Sequence, residues 1–334
     1  MKRITAVLLV IPLIAVITCA CNKTVSKEKN SVICTIFPQY DWVRQILGEK
    51  AGNYNLTLLL DNKIDLHSYQ PSVNDIAKIS SCDLFIYVGG ESDGWVEAAL
   101  GNAVNKEMTI INLMKILGDH VKTEEITEGM EHDQNGGDDD DHPAGDGIND
   151  EENDEHDYDE HVWLSLKNAQ VCCEAIAEAL SVLDAENADD FKNNLAAYLS
   201  ELSALDAEYQ TAVDAASFRM LLFADRFPFR YLVDDYGISY CAAFSGCSAE
   251  TEASFTTIVF LARKMDELQL PCIMVTESSD QSIARTVIQN TTAKNYDIRV
   301  LDAIQSVSSS DVQSGATYLS LMERNLDVLK EALA

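Results

Sequence analysis

The stretch ADDFKNNLAAYLSELSALDAEYQTAVDA, residues 188–215, decides how this chain is built. Phe191, Leu195, Leu199, Leu202 and Leu205 recur along it at helical spacing, and it holds no glycine or proline. An apolar stripe of that period predicts one long amphipathic helix. A further helix is expected just before it, over residues 169–183. Outward on both sides the pattern changes to short apolar runs separated by helical segments. On the N-terminal side, residues 31–37, 56–60, 84–88 and 109–112 read as strands. Helical spacing covers 41–47 and 95–100, and Ser72-Val73-Asn74-Asp75 fits a capping box that opens a helix burying Ile76 and Ile79. On the C-terminal side, strands are expected at 220–223, 240–244, 273–276 and 298–301. Helices at 231–236, 254–268 and 283–289 alternate with them, and a last helix covers 316–333. Strands alternating with helices at this spacing argue for parallel sheets. The expected fold is α/β: two parallel-sheet lobes joined by a single long helix.

The 334 residues are enough for two domains with substantial cores. Met1-Lys2-Arg3 precedes an apolar run over residues 6–18, too short to span a bilayer comfortably. It reads as a secretory signal. Cys19-Ala20-Cys21-Asn22 follows and resembles a bacterial lipobox, with Cys21 the preferred lipidated residue and Cys19 the alternative. The expected organisation is a signal peptide at 1–20, a tether at 21–30, an N-terminal lobe at 31–165, a helical region at 166–216 and a C-terminal lobe at 217–334. The mature protein is expected outside the cytoplasm, anchored by lipid to the bacterial cell membrane.

Residues 124–163 interrupt the first lobe with a composition of their own. They contain no Lys or Arg, and they hold His132, His142, His156 and His161, four of the six histidines. The segment 124–160 carries 18 carboxylates, more than half of the formal net charge of −31. Such a field attracts cations, and the absence of a basic stripe excludes nucleic acid as a partner. The composition reads as a disordered, metal-attracting loop. It ends in Glu160-His161-Val162-Trp163-Leu164, where apolar order resumes.

Seven cysteines remain after Cys21, none in a CxxC spacing that would argue for a thiolate zinc site. Cys34, Cys82 and Cys272 lie in apolar runs and are expected to be small buried residues. Cys241 and Cys247 could pair across a loop. His67, in Asp65-Leu66-His67-Ser68-Tyr69-Gln70-Pro71-Ser72, follows the strand at 56–60. That places it at the carboxyl end of a parallel sheet, where ligands bind. His161 lies at a second order boundary. Two neutral imidazoles from separate loops make a start for tetrahedral zinc.

In these segments the chain resembles the metal-binding lipoproteins that serve zinc and manganese ABC importers. The resemblance covers nearly the whole mature chain. It is carried by residues 65–72 with Asp75-Ile76, by Asp83-Leu84-Phe85-Ile86-Tyr87 through Gly90 and Trp95, and by His161-Val162-Trp163-Leu164. Tyr236-Gly237, Glu250 and Glu277-Ser278-Ser279-Asp280 complete it. It implies a rigid linking helix, a metal cleft between the lobes, and His67 and His161 as the first two ligands. A third ligand, His or Glu, is implied where this chain has Ala224; neighbouring Asp225 faces the other way on an extended segment and could pair with Arg226. The fourth is Asp280, with Glu277 as the alternative. A loop of roughly 20 residues spans about 25 Å, so His142 or His156, and more remotely His132, could supply what Ala224 lacks.

The function implied is binding of Zn2+, with Mn2+ the alternative, and delivery to an ABC transporter permease by a monomer that catalyses nothing. A surface adhesin or metal buffer is the competing reading. A zinc hydrolase is disfavoured because HExxH and Gly-x-Ser-x-Gly are both missing.

Overall fold

The computed structural model describes residues 29–61, 65–131, 158–248 and 252–334. The first half contains β1 (Ser31–Cys34), α1 (Phe37–Leu47), β2 (Asn55–Leu58), α2 (Val73–Ser81), β3 (Leu84–Tyr87), α3 (Trp95–Gly101), β4 (Thr109–Asn112) and α4 (Leu113–Leu117). Its four strands form a parallel sheet in the order β2-β1-β3-β4. The strand expected over 31–37 ends at Cys34 because Pro38 falls in the first turn of α1. Proline's missing N–H suits a helix start and not a sheet ladder. α2 begins where the capping box placed it: Ser72 Oγ accepts from Asp75 N–H, and the Asp75 carboxylate accepts from Ser72 N–H. Ile79 is buried as expected, while Ile76 is half-exposed.

Two helices follow, α5 (Leu166–Leu183) and α6 (Ala188–Asp214). α6 has 27 residues, which at 1.5 Å per residue is about 40 Å of rod. Its buried face is Phe191, Tyr198, Leu202, Leu205, Tyr209 and Val213. Leu195 and Leu199 of the expected stripe are only half-buried, because the inward positions beside them are taken by aromatic residues. α6 packs on α5 and on α1 of the first half, and Asn194 Nδ2 donates to Ile46 O at 3.0 Å.

The second half comprises β5 (Met220–Phe227), α7 (Arg230–Tyr236), β6 (Ser239–Ser245), α8 (Phe255–Leu268), β7 (Cys272–Thr276), α9 (Ser282–Asn290), β8 (Asp297–Leu301), α10 (Ser309–Gln313) and α11 (Tyr318–Ala332). Its parallel sheet runs β6-β5-β7-β8. β5 continues four residues past its expected end, with a bulge between Phe223 and Arg226. α11 lies against α6, where Tyr209 Oη donates to Met322 O at 2.6 Å.

The two sheets share one main apolar core, which includes Trp42, Trp163, Phe223 and Tyr318. Tyr318 is the stitch: its ring meets Trp42 edge-on at 5.3 Å, its N–H donates to Asp41 Oδ2 and its hydroxyl to Trp163 O. Trp163 Nε1 in turn donates to Ala303 O at 2.9 Å. Buried hydrogen bonds of this kind, cut from water on both sides, resist opening, so the halves are coupled by more than the helix. The loops after β2, β6 and β7 line the crevice between the sheets together with the last part of β5, and Ser92, beyond β3, reaches His67; these are the carboxyl ends of parallel strands.

Candidate metal centre

His67 sits in a single 3-10 turn, Leu66–Ser68, capped by its own neighbour. Asp65 Oδ1 accepts from His67 N–H at 2.9 Å, and Asp65 Oδ2 accepts from Arg226 of the opposite sheet at 2.8 Å. His67 Nδ1 lies 2.8 Å from Ser92 Oγ. Ser92 is itself fixed, since its N–H donates to Glu160 Oε1 at 2.7 Å. Glu160 can approach because residue 90 is glycine: with φ +85°, a Cβ there would stand 2.5 Å from Glu160 Oε1. His161 is fully buried. Asp159 Oδ1 accepts from its backbone N–H at 2.8 Å and meets its Nδ1 at 3.0 Å.

Both rings therefore have Nδ1 engaged, and the two Nε2 atoms face each other at 3.3 Å. Engagement of one ring nitrogen by a carboxylate or hydroxyl is what selects the tautomer and aims the other nitrogen in metal-binding histidines. A tetrahedral zinc with Zn–N bonds of about 2.05 Å sets two nitrogens about 3.3–3.4 Å apart. The observed separation of 3.3 Å matches that spacing.

The electrostatics divide the pair. Burial and the neighbouring His161 drive His67 down to about 3, against the pull of Asp65, so its imidazole is neutral. Burial also acts to lower His161, but Asp159, helped by Glu160 and Glu124, outweighs it and holds this ring above its ordinary value.

Among the described residues, one group of three or more metal-ligating side chains has all its ligand atoms within 4.8 Å of one another: His67, His161 and Cys247. The expected carboxylates are outside that group. Asp280 lines a cavity of about 480 Å³ beside His67, together with Asp65, Arg226 and Ser248. Its carboxylate accepts from Ser282 N–H at 2.7 Å, and Ser282 holds it below its ordinary value. Glu277 is turned into the second half, accepting from Ala303 N–H at 2.8 Å; burial, then Asp302, push it up to about 7. Asp225 accepts from Thr276 N–H and Oγ1 and from Arg226 N–H. The expected Asp225–Arg226 ion pair is replaced, because the Arg226 guanidinium crosses the crevice to Asp65. Ala224 is buried in the second apolar cluster with Leu222 and Ala243.

None of the seven described cysteines forms a disulfide, so Cys241 and Cys247 do not pair. Cys241 lies on β6 in the apolar core, and Cys247 lies in the turn beyond that strand. His132, His142, His156, Cys19, Cys21 and Glu250 lie outside the described residues. A search confined to CxxC spacing overlooks Cys247. The usable signal is a Gly246-Cys247 pair just past a strand whose carboxyl end faces the crevice.

A family model described as the periplasmic component A of a zinc-uptake complex, ZnuA, matches residues 32–332. The chain belongs to the ZnuA family. It is 29% identical over 331 residues to the zinc-binding lipoprotein AdcA of Streptococcus pneumoniae, covering 99% of this chain and 61% of that protein. It thus spans about three fifths of the length of that streptococcal relative. The high-affinity zinc uptake system protein ZnuA of Bacillus subtilis is 26% identical over 306 residues, covering 92% of this chain and 88% of the relative. The Zn(II)-bound ZnuA-like domain of Streptococcus pneumoniae AdcA superposes with a TM-score of 0.68 at 25% identity, over 91% of this chain and 99% of that domain.

Proposed function

We propose that this protein is the extracytoplasmic zinc-binding component of an ABC importer, holding one Zn2+ in the crevice and presenting it to a membrane permease. The observation that carries this reading is the pair of Nε2 atoms 3.3 Å apart, each ring held through Nδ1. Membership of the ZnuA family and the zinc-binding names of its relatives support it. His67 and His161 hold the ion; Asp280, on the rim of the adjoining cavity, is the carboxylate able to join them if it releases Ser282 N–H.

In this reading residues 1–20 are a signal peptide, Cys21 carries the lipid, residues 21–30 tether the protein to the membrane, and 31–165 and 217–334 are the two lobes. The protein works as a monomer and catalyses no reaction. Among the described residues no helix is long and apolar enough to cross a membrane. The acidic segment 124–160 concentrates cations near the crevice.

Calorimetric titration of the full chain with Zn2+ tests the proposal. One tight equivalent is expected, retained when residues 132–157 are deleted and lost in His67→Ala and in His161→Ala. Several weak equivalents that disappear with the segment would instead establish a surface metal buffer.

A further inference from the structure

Where relatives of this architecture are expected to have a third side chain on β5, this chain has buried Ala224, packed with Leu222 and Ala243. A different element of the same sheet reaches the histidines. The turn after β6 carries Gly246 against His161: a Cβ on residue 246 would stand 3.2 Å from His161 Nδ1 and Cε1, and 3.0 Å from Phe227 O. Any side chain there would be tighter than ordinary contact, and the His161 ring or the Phe227 backbone would have to give by a few tenths of an ångström. The next residue, Cys247, is anchored by its own N–H, which donates to Glu124 Oε1 at 2.8 Å. Its sulfur lies within 4.8 Å of the ligand nitrogens of both histidines.

We propose that Cys247 is the third protein ligand of this site, as a thiolate, making a His67–His161–Cys247 centre selective for zinc over manganese. The inference rests on the zinc-binding reading above and deepens it. With Zn–S about 2.3 Å and Zn–N about 2.05 Å, a tetrahedral zinc sets sulfur and nitrogen about 3.6 Å apart. The turn has to close by no more than about 1.2 Å, within reach of a cysteine rotamer change on a short loop. On binding, the S–H bond breaks, its proton passes to solvent and a Zn–S bond forms; no oxidant or reductant takes part. The charge balance suits a dication. Burial, then Asp159, Glu124 and Glu160, hold the free thiol well above its ordinary value, so it keeps its proton until an ion arrives; the same carboxylates balance the charge of a bound dication, and Glu160 Oε2 is a buried oxygen without a hydrogen-bond partner. Sulfur also sets the metal preference: thiolate ligands favour zinc, whereas manganese prefers an oxygen-rich shell.

Cobalt is the probe. The full chain is titrated with Co2+, followed by absorbance, and with Zn2+ and Mn2+, followed by calorimetry. One equivalent of Co2+ should give a near-ultraviolet sulfur-to-cobalt charge-transfer band together with the visible bands of a tetrahedral ion. Cys247→Ser should lose the charge-transfer band, bind zinc at least about 10–100-fold more weakly and discriminate less against manganese. Cys241→Ser should keep all three properties. Cys247→His should restore zinc affinity without the band, which separates loss of a ligand from loss of folding. A tight cobalt equivalent that is abolished by His67→Ala but shows no charge-transfer band overturns the Cys247 assignment alone. Retention of wild-type zinc affinity in Cys247→Ser does the same. The absence of any tight equivalent, or one unaffected by His67→Ala, overturns the crevice reading and this assignment with it.

Discussion

The wall of the crevice built by residues 65–67, 90–92 and 159–161 differs from the wall built by 224–226 and 277–280 in what its polar groups already hold. On the first wall each imidazole is held through Nδ1, and the two Nε2 atoms meet each other at 3.3 Å. On the second, Asp225 is engaged by Thr276, Glu277 by Ala303 and Asp280 by Ser282. The first wall thus presents imidazoles positioned for an ion, whereas the carboxylates of the second are engaged in holding their own loops and strand. Holding ligands in place before the ion arrives removes most of the ordering cost of binding. A carboxylate that caps a turn must first give up a hydrogen bond of its own.

The largest effect should come from removing an imidazole. His67→Ala or His161→Ala should weaken zinc binding by more than about 100-fold, beyond what loss of an outer partner does; calorimetry showing near-native affinity in either would erase the distinction between the walls. Asp159→Asn comes next. It leaves the ligand in place but removes the charge that orients it, and should cost about 10–100-fold in zinc affinity. An unchanged affinity would mean that packing alone aims His161.

On the second wall, Ala224→His would install the residue type this chain lacks, but in a closed apolar cluster. We expect no gain in zinc affinity and a loss of about 1–3 kcal/mol of stability from overpacking, read as a lower melting temperature. A tighter zinc complex would show that the β5 bulge can rotate residue 224 outward.

The smallest effect concerns pH and a support of the first wall. Asp93 accepts N–H groups from Val88 and Gly89. Burial, reinforced by Glu160 and opposed by those N–H donors, pushes its carboxyl from 3.8 up to about 7. The native state therefore keeps a proton that the unfolded chain loses. The resulting stability is complete below about pH 4 and is lost as pH rises through about 7. Asp93→Asn should flatten that decline in the melting temperature between pH 4 and 8; an identical slope in both proteins would remove Asp93 as its source.

Much of the fold was legible from the sequence. β4 lies at its expected residues and α6 within one residue of its expected end, because long periodic stripes and short apolar runs are local signals. The short helices α4 and α10 were missed, each only five residues long. Five residues leave little room for a period of 3.6 to declare itself. The extension of β5 through Asp225-Arg226 also went unread, since a bulge with a charged pair carries no strand pattern.

The sequence by itself determined the two α/β halves, the helix between them, His67 after a strand and His161 at the boundary where apolar order resumes, because each depends on spacing along one stretch of chain. Only the tertiary structure decided what surrounds those histidines. The meeting of Asp65 with Arg226 joins residues 161 positions apart, and that of His67 with His161 joins residues 94 apart. The approach of Cys247 to both rings comes through the turn after β6, where Gly246 lies against His161. Such contacts follow from how two sheets pack across a shared core, a geometry set by side-chain volumes over the whole molecule and not by any local run of residues.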